Sequence, residues 1–494
     1  MSSAKRFSVV RDPVHGDVYL THEELAVLDT PEMQRLRGIK QLGTAFLVYP
    51  GAVHTRFDHS IGVLHMTQKM IEAVNRNFEL SPRDTLGISE REARVLRIAA
   101  LVHDVTHIPF GHHIEDQAGL FRRHDTGARF RRMLGPEREL GRVLERLGVR
   151  REVLSTLLAA KQREPNESTE SEQLPNDPRG GSAFSGTSAG SSRSCSDTVV
   201  PPYWSQILSD TISSDILDYL QRDAYFTGLK LGVDPRVAAY FKIDRATGNL
   251  FLDLAKRELL REDILSEAIR LLEARYYFSE RVYYHHAKVA AGALVARAVE
   301  LAVAHDLVRE EDLYDQTDAS LLELLDERAA RAETELARRI RGLGQRFRER
   351  RLPKRACVFP RYENRAIQES LVARTFAPAA RAQRAAIEER LADLVRFATG
   401  REVEVMLHCP AATMQLKEAR THVRWPGEST VRPLTELAER VPRLADLERA
   451  YRDLWKFYVF ADSSDPDLLR KLQELALAEF PGARNAYRIE GAIA

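Results

Sequence analysis

Two histidines and two aspartates are the side chains of this sequence that best suit a metal centre. They are His59, the adjacent pair His103 and Asp104, and Asp215. Imidazole nitrogens and carboxylate oxygens together favour a divalent ion such as Mn, Fe, Mg or Zn, and the absence of a nearby cysteine disfavours a structural zinc site. The set therefore indicates a catalytic metal ion.

His103 and Asp104 follow an apolar segment, 95–102, that must be largely buried. Ser89 and Glu92 precede it with the spacing of an N-terminal capping box, which predicts a helix. Two ionisable groups at the end of a buried helix are unfavourable unless they are paired or bind a metal. Four of the chain's 15 histidines also fall within eleven residues here, which strengthens the prediction of a site.

Polar side chains recur at helical spacing in two later segments. Asp215, Tyr219 and Asp223 are each four residues apart, which predicts one helix face with a metal ligand, a phenol and a second carboxylate. Arg275 and Tyr283 predict a second face, on which the guanidinium suits phosphate and the phenol can stack on a nucleoside. The alternative interpretations are a solvated acidic stripe and an aromatic core contact.

The composition is that of a globular protein without a general affinity for polyanions. Of the 494 residues, 44% are hydrophobic and 29% are charged, and the formal net charge is +1, so a polyanion site must be local. Three widely spaced cysteines, with no apolar leader or bilayer-long segment, predict a cytoplasmic protein without a membrane partner.

The length predicts two or three structural units. Residues 161–202 are rich in Ser, Gly, Pro, Asn and Glu, which predicts a disordered insertion. Apolar periodicity predicts a mainly α fold with a helical core and a smaller α+β C-terminal domain. The predicted boundaries are 1–160 and 203–300 for the two parts of the core, 301–400 for a helical extension and 401–494 for the C-terminal domain.

Five short motifs follow one another along the first part of the chain. They are Asp12-Pro-Val-His-Gly, Asp29-Thr-Pro-Glu-Met-Gln-Arg-Leu-Arg37, Lys40-Gln-Leu-Gly43, His54-Thr-Arg-Phe-Asp-His-Ser60 and His103-Asp-Val-Thr-His107. In order and spacing they resemble the HD-domain deoxynucleoside triphosphate triphosphohydrolases. That family includes bacterial HD phosphohydrolases and the vertebrate sterile-alpha-motif and HD-domain enzyme. The resemblance identifies the helical core as an HD domain.

The resemblance implies roles for residues around the metal centre. It makes Asp215 the fourth metal ligand and Arg56 a phosphate-binding arginine. His107 and His124 match the family's acid/base histidines, and Glu115 matches the carboxylate that orients one of them. We expect His124 to be the general acid, because an imidazole has a pKa near neutrality and can protonate a leaving oxygen.

A nucleotide pocket is the second implication of the resemblance. Gln41 and Leu42 match the pair that packs against the deoxyribose, where crowding at the 2′ carbon would exclude ribonucleotides. Ile216 stands where the family commonly has a basic residue, so one cation facing the triphosphate is missing. The residues that the resemblance assigns to this pocket are Gln41, Leu42, Tyr219, Asp223, Arg275 and Tyr283.

A regulatory nucleotide site at subunit contacts is the third implication. Ser8 and His286 stand where the vertebrate members have lysines, so two cations of the pattern are absent. The resemblance implies an activating nucleotide and a homo-oligomer, either a dimer or a tetramer. The positions that match the regulatory site are Asp29, Gln34, Arg37, Arg350 and Lys354.

The resemblance implies hydrolysis of a dNTP to deoxynucleoside and triphosphate. Two other interpretations stay open. One is an HD-type nucleotide phosphomonoesterase or nuclease that uses the same metal site. The other is a nucleotide- or nucleic-acid-binding regulator with little turnover that uses the basic segment 338–355, although the near-zero net charge disfavours nucleic acid as a partner.

Overall fold

The computed structural model describes residues 7–115, 120–121, 123, 126–162, 199–232, 234–409 and 419–489. Most of the predicted insertion and the predicted general acid, His124, lie outside the described residues. Helices dominate the described part of the chain, which confirms the predicted mainly α fold. No helix in that part combines the length and the apolarity that crossing a bilayer requires.

Helices occur on both sides of the insertion. Those before it are α1 (His22–Leu28), α2 (Pro31–Arg35), α3 (Arg56–Leu80), α4 (Glu90–Val102), α5 (Gly111–Glu115), α6 (Gly127–Met133), α7 (Glu139–Arg146) and α8 (Arg150–Gln162). Those after it are α9 (Pro202–Leu208), α10 (Ser214–Thr227), α11 (Glu262–Phe278), α12 (His286–Ala304), α13 (Glu310–Leu313), α14 (Asp318–Ala329), α15 (Thr334–Arg348), α16 (Arg361–Asn364), α17 (Gln368–Thr375), α18 (Arg381–Thr399), α19 (Pro442–Arg452) and α20 (Pro466–Glu479).

Short strands form small sheets beside the helices. They are β1 (Ser8–Asp12), β2 (Gly16–Leu20), β3 (Thr85–Leu86), β4 (Phe241–Asp244), β5 (Leu250–Asp253), β6 (Ala255–Lys256), β7 (Leu259–Leu260), β8 (Lys354–Pro360), β9 (Val405–His408), β10 (His422–Arg424), β11 (Val431–Pro433) and β12 (Lys456–Ala461). Among the described residues, β1 pairs with β2 and β6 with β7, and the larger sheets have the orders β11-β10-β5-β4-β3 and β8-β12-β9.

The C-terminal strands confirm the predicted mixture of helices and strands. The expected strands lie in β9 and β12, and the expected turn at Pro426-Gly427 joins β10 to β11. However, β8 precedes residue 401 and pairs with β12, while β10 pairs in parallel with β5. Both larger sheets therefore contain strands from each side of the expected boundary at 401, and the domain boundaries stay predictions.

Three helices of the core position the metal-binding candidates. The long helix α3 packs against both α4 and α10. Helix α4 has the predicted capping box, in which Ser89 and Glu92 bond to each other's backbone amides, and Thr55 and Asp58 form a second box at the start of α3. These caps fix where the helices begin. The C-terminal end of α4 lies close to the N-terminal ends of α3 and α10.

The β1–β2 hairpin precedes the first helix, and one helical prediction needs correction. The helix predicted from the spacing of Arg275 and Tyr283 is divided. Helix α11 ends at Phe278, and Ser279–Tyr283 form a π-helical turn. The buried Ser279 hydroxyl donates to the Arg275 carbonyl at 2.9 Å, a local bond that competes with regular helical pairing. Arg275 and Tyr283 are therefore not on one regular α-helical face.

Candidate metal centre and catalytic site

His59, His103 and Asp215 come together from three helices. His59 lies in α3 one turn from its start, His103 follows α4, and Asp215 lies in the first turn of α10. One ligand atom of each lies within 4.8 Å of the others. His59 Nε2 is 3.0 Å from Asp215 Oδ1, and His103 Nε2 is 3.8 Å from the same oxygen. Three of the four predicted ligands thus converge on one point.

Asp104, the fourth predicted ligand, lies at the edge of this cluster. Its Oδ1 is 3.4 Å from His103 Nε2, and its Oδ2 is 3.9 Å from His59 Nε2. Burial raises the pKa of Asp104, but the neighbouring charges of His103 and Arg56 outweigh burial and hold the pKa well below its usual range. Asp104 is therefore ionised at neutral pH, as a metal ligand must be.

The histidine hydrogen bonds fit a metal ion. His103 Nδ1 donates to the Ala100 carbonyl at 2.8 Å, which leaves the lone pair on Nε2, and that buried nitrogen has no hydrogen-bond partner among the described residues. His59 Nδ1 donates to Asp218 at 2.7 Å. In both rings Nε2 faces the cluster and is the nitrogen that would bind a metal, although His59 Nε2 is hydrogen-bonded to Asp215 at 3.0 Å in the protein alone.

The electrostatics of the cluster also favour a cation. Burial lowers the pKa of His59, but hydrogen bonds with Asp215 and Asp218 outweigh it and raise the pKa to about 10. The carboxylates thus stabilise positive charge at a point that is almost closed to solvent, since His59 is 1% exposed. His59, His103, Asp104 and Asp215 could together hold a divalent ion.

Two of the predicted catalytic residues, Arg56 and His107, lie beside Asp104. Arg56 Nη1 donates to Asp104 Oδ2 at 2.7 Å, and His107 Nε2 lies 3.2 Å from Asp104 Oδ1. Glu115 is buried and accepts a hydrogen bond from Arg129 at 2.5 Å. The predicted general acid, His124, lies outside the described residues, so its pairing with Glu115 stays a prediction.

Arg275 is the half-buried cation of the predicted nucleotide pocket. Its Nη1 atom is buried without a hydrogen-bond partner among the described residues. Its electrostatic neighbours include Tyr219 and Tyr283, and the Tyr219 ring centre is 6.5 Å from that of His59. A guanidinium with a buried, unpartnered Nη1 is a candidate for binding an anionic ligand.

Asp223 is held by two side chains. Its Oδ1 is 2.8 Å from His54 Nε2, and its Oδ2 accepts a hydrogen bond from the Tyr283 hydroxyl at 2.8 Å. The backbone amide of Gln41 donates to the His54 carbonyl at 3.0 Å, and Gln41 Oε1 is buried without a partner among the described residues. Leu42 is 4% exposed. Gln41 and Asp223 thus both bond to His54, a residue to which the sequence interpretation assigned no role.

The predicted regulatory residues fall into separate groups. Arg37 donates to Gln34 Oε1 at 2.9 Å, and Gln34 in turn donates to the carbonyl of the residue before Asp29. Arg350 donates to the Leu47 carbonyl at 2.9 Å, and Lys354 begins β8. No hydrogen bond or ion pair between described residues joins the first group to the last two, and the regulatory site stays a prediction.

The sequence interpretation missed Asp218 and assigned no separate role to His112. Asp218 is fully buried and binds His59, and its only sequence signal is its position three residues after Asp215 on the same helix. His112 is exposed and its ring centre is 5.4 Å from that of His107. Its signal was its place in the histidine cluster, from which no single member could be selected by spacing.

Two family models match this chain. The HD domain matches residues 56–187, which include His59, His103 and Asp104, and the HD associated region matches residues 252–478. Together the two models account for most of the chain.

Similar proteins include characterised and uncharacterised members. An uncharacterized protein of Methanocaldococcus jannaschii is 28% identical over 322 residues, which are 64% of this chain and 54% of that protein. Deoxynucleoside triphosphate triphosphohydrolase SAMHD1 of Homo sapiens is 44% identical over 104 residues, which are 21% of this chain and 16% of that protein. The aligned part spans about half the length of the first relative and less than a fifth of the second.

Two solved structures share the fold over nearly the whole chain. A phosphohydrolase of Bacteroides thetaiotaomicron has a TM-score of 0.58 at 18% identity, covering 92% of this chain and 99% of that one. A hypothetical protein from Aquifex aeolicus has a TM-score of 0.56 at 21% identity, covering 96% and 100%. Since the HD-domain match over residues 56–187 agrees with the histidine and aspartate cluster, this chain is an HD-domain protein.

Proposed function

We propose that this protein is a metal-dependent hydrolase that converts a dNTP to deoxynucleoside and triphosphate. The observation that carries the proposal is the convergence of His59, His103 and Asp215, whose ligand atoms face one another beside Asp104. The buried Nη1 of Arg275, which has no partner among the described residues, supports an anionic substrate. The similarity to SAMHD1, whose name states a dNTP triphosphohydrolase, supports the choice of nucleotide.

The chain's own residues supply binding, charge and proton transfer in this proposal. A divalent ion, when bound, would offset phosphate charge and lower the pKa of a water molecule. Arg56 and Arg275 would stabilise negative charge on the phosphates, because preorganised cations act most strongly in a site closed to water. His107 lies beside Asp104 and would hold or move a proton there. His124 is proposed to protonate the leaving 5′ oxygen, with Glu115 orienting it.

The identity of the products tests the proposal. The metal-loaded protein is incubated separately with each dNTP, with GTP, with dGMP and with single-stranded DNA, and the products are separated by chromatography. Deoxynucleoside with intact triphosphate is the expected result. Orthophosphate from dGMP would establish a phosphomonoesterase, nucleotides from DNA would establish a nuclease, and binding without turnover would establish a regulator.

Variants of the metal ligands show whether the activity belongs to this site. His59→Ala and Asp104→Ala should each abolish hydrolysis and lower the bound metal together, since each removes one ligand. His22→Ala is the matched control, because His22 is exposed at the start of α1. Full activity in either ligand variant would contradict the proposed site.

A further inference from the structure

A buried carboxylate behind the metal centre, Asp218, connects His59 to the N-terminal hairpin. It lies on α10 one turn after Asp215 and is 0% exposed. Its Oδ2 accepts a hydrogen bond from His59 Nδ1 at 2.7 Å, and its Oδ1 accepts one from His15 Nε2 at 2.6 Å. Asp218 therefore holds one histidine of the metal cluster and one histidine of the loop between β1 and β2.

Arg222 and Asp12 complete this arrangement, which we call the Asp218 network (Asp12, His15, Asp218 and Arg222). Arg222 donates through Nε and Nη2 to the two oxygens of Asp218 at 2.9 and 3.0 Å, and through Nη1 to Asp12 at 2.8 Å. Asp12 also accepts hydrogen bonds from the backbone amides of Val14 and His15 at 2.9 and 2.8 Å. Buried polar networks in which each member is bonded hold their side chains in one arrangement.

The helix that carries His59 is shaped to admit this network. Gly62, one turn after His59 on α3, faces Asp218 and Arg222, and a Cβ atom at position 62 would overlap both side chains. Glycine in a helix interior destabilises it by roughly 0.5–1 kcal/mol relative to alanine. The close approach of the carboxylate to α3 thus requires a residue that the helix itself disfavours.

The hydrogen bond from His59 to Asp218 determines which ring nitrogen faces the metal-binding cluster. Because Nδ1 is held by Asp218, Nε2 is the nitrogen that faces the cluster, where it is hydrogen-bonded to Asp215 Oδ1 at 3.0 Å and a metal ion would take the place of the proton. A carboxylate on the far nitrogen of a ligating histidine fixes the ring and makes it a better ligand. Arg222 in turn fixes the carboxylate from both oxygens.

We infer that the Asp218 network sets the orientation and the metal affinity of His59. The N-terminal hairpin is then a structural part of the metal centre. The inference deepens the proposed function and rests on it only in requiring a divalent ion at His59. It does not depend on which phosphate ester is the substrate.

Metal binding in the absence of substrate tests the inference. The full-length protein is freed of metal with a chelator and titrated with Mn²⁺ by calorimetry, and the Co²⁺ absorption spectrum reports coordination geometry. Asp218→Asn keeps the side-chain shape but removes the charge and one acceptor oxygen, so the affinity for Mn²⁺ should fall roughly ten- to hundredfold. Asp12→Asn acts on Asp218 indirectly, through Arg222 and the loop that carries His15, and should give a smaller loss. Both variants should alter the Co²⁺ spectrum.

Asp253→Asn is the matched control. Asp253 is also buried and paired with two cations, Lys242 and Arg424, but it lies in β5 and contacts no residue of the metal cluster. It should bind Mn²⁺ with unchanged affinity. A folded Asp218→Asn protein with unchanged affinity would overturn the inference, and so would an equal loss in Asp253→Asn.

The remaining outcomes also decide the question. If Asp218→Asn fails to fold by circular dichroism, unchanged affinity and an unchanged Co²⁺ spectrum in Asp12→Asn overturn the inference. A wild-type protein that binds Mn²⁺ but hydrolyses no dNTP would overturn the substrate proposal and leave the network standing. A wild-type protein that binds no divalent ion would overturn both.

Discussion

The polar side chains at the candidate site differ in which of their nitrogen atoms have a hydrogen-bond partner within the protein. His59 and His103 each give their Nδ1 proton to a fixed acceptor, a carboxylate in one case and a backbone carbonyl in the other. Arg275 differs, because its buried Nη1 has no acceptor among the described residues. The protein thus occupies Nδ1 of both histidines and leaves Nε2 to face the metal cluster, whereas Arg275 Nη1 has no acceptor in the protein alone.

Replacing Arg275 should separate activity from stability. Arg275→Gln removes a cation that we propose binds phosphate, and a hydrogen bond to a charged group is worth roughly 1.5–3 kcal/mol, so kcat/KM for a dNTP should fall about ten- to hundredfold. The free energy of unfolding should change little, because Nη1 has no partner among the described residues whose hydrogen bond would be lost. Kinetics and urea unfolding measure the two quantities.

Arg270→Gln provides the control for that substitution. Arg270 lies on the same helix, is largely exposed and pairs with Glu267 at 3.4 Å. Its replacement should leave kcat/KM unchanged. Wild-type kcat/KM in Arg275→Gln would show that this guanidinium does not contact the substrate.

Sugar selection depends on Gln41 and Leu42 in the proposed pocket. If these side chains crowd the 2′ carbon, a ribonucleotide leaves its hydroxyl buried without a partner, which costs roughly 1–3 kcal/mol. We expect dGTP to exceed GTP in kcat/KM by about ten- to hundredfold. The double variant Gln41→Ala, Leu42→Ala should narrow this ratio mainly by admitting GTP. Equal hydrolysis of GTP and dGTP by the unmodified protein would refute the deoxynucleotide assignment.

Secondary-structure elements with local signals were predictable from the sequence. Helix α4 follows from the capping residues Ser89 and Glu92, and α10 from the apolar positions around Asp215, since both signals lie within the element itself. The π-helical turn at 279–283 and the parallel pairing of β10 with β5 were missed. They depend on contacts between segments that are distant in the sequence, which periodicity does not record.

The candidate site was likewise predictable where the signal is local and not where it depends on contacts between distant segments. The ligand set could be proposed because histidine and aspartate types are chemically distinctive. Asp218 was missed because a buried, paired aspartate on a helix has the same local pattern as a solvated one, and only its packing against α3 reveals it. The spatial grouping of His54 with Asp223 is equally invisible, because the two residues are 169 positions apart.

The cap of α4 should affect stability without affecting the chemistry. Ser89→Ala removes the hydroxyl that accepts from the Glu92 amide, and loss of such a cap typically costs about 1 kcal/mol of unfolding free energy. The kcat should not change, because His103 lies at the other end of the helix. Ser266→Ala, an exposed serine within α11, should be neutral or slightly stabilising. Equal stability of the Ser89→Ala protein and the wild type by urea unfolding would contradict the prediction.

At the scale of the whole molecule, the core is assembled across the insertion. Helix α8, before it, packs against α9, after it, and both pack against α4. The free energy of closing a longer or shorter connection changes only slowly with its length. Replacing residues 163–198 with a short Gly-Ser linker should therefore preserve unfolding free energy and kcat/KM. A same-length shuffled segment is the control. A folded linker variant with a large loss of activity would instead give the segment a catalytic or regulatory role.

Acid should destabilise the molecule through a histidine that is buried in its neutral form. Burial, aided by the charges of Arg384 and Arg297, lowers the pKa of His408 to about 3. The unfolded chain binds a proton at this residue below about pH 6.5, but the folded chain does not. The contribution of His408 to the free energy of unfolding is thus complete above pH 6.5 and is lost as the pH falls towards 3. Between pH 7.5 and 5.5 the free energy of unfolding should drop by about 1.4 kcal/mol from this residue.

Urea unfolding at the two pH values measures this contribution. His408→Gln cannot titrate, so its free energy of unfolding should fall by about 1.4 kcal/mol less than that of the wild type over the same interval, whatever its absolute stability. His22→Gln, at an exposed position on α1, should keep the wild-type pH dependence. If His408→Gln and the wild type lost stability equally, His408 would have to accept its proton in the folded state. In that case Glu388 and Glu300, the carboxylates that pair with Arg297 and Arg384, would be the groups that stabilise it.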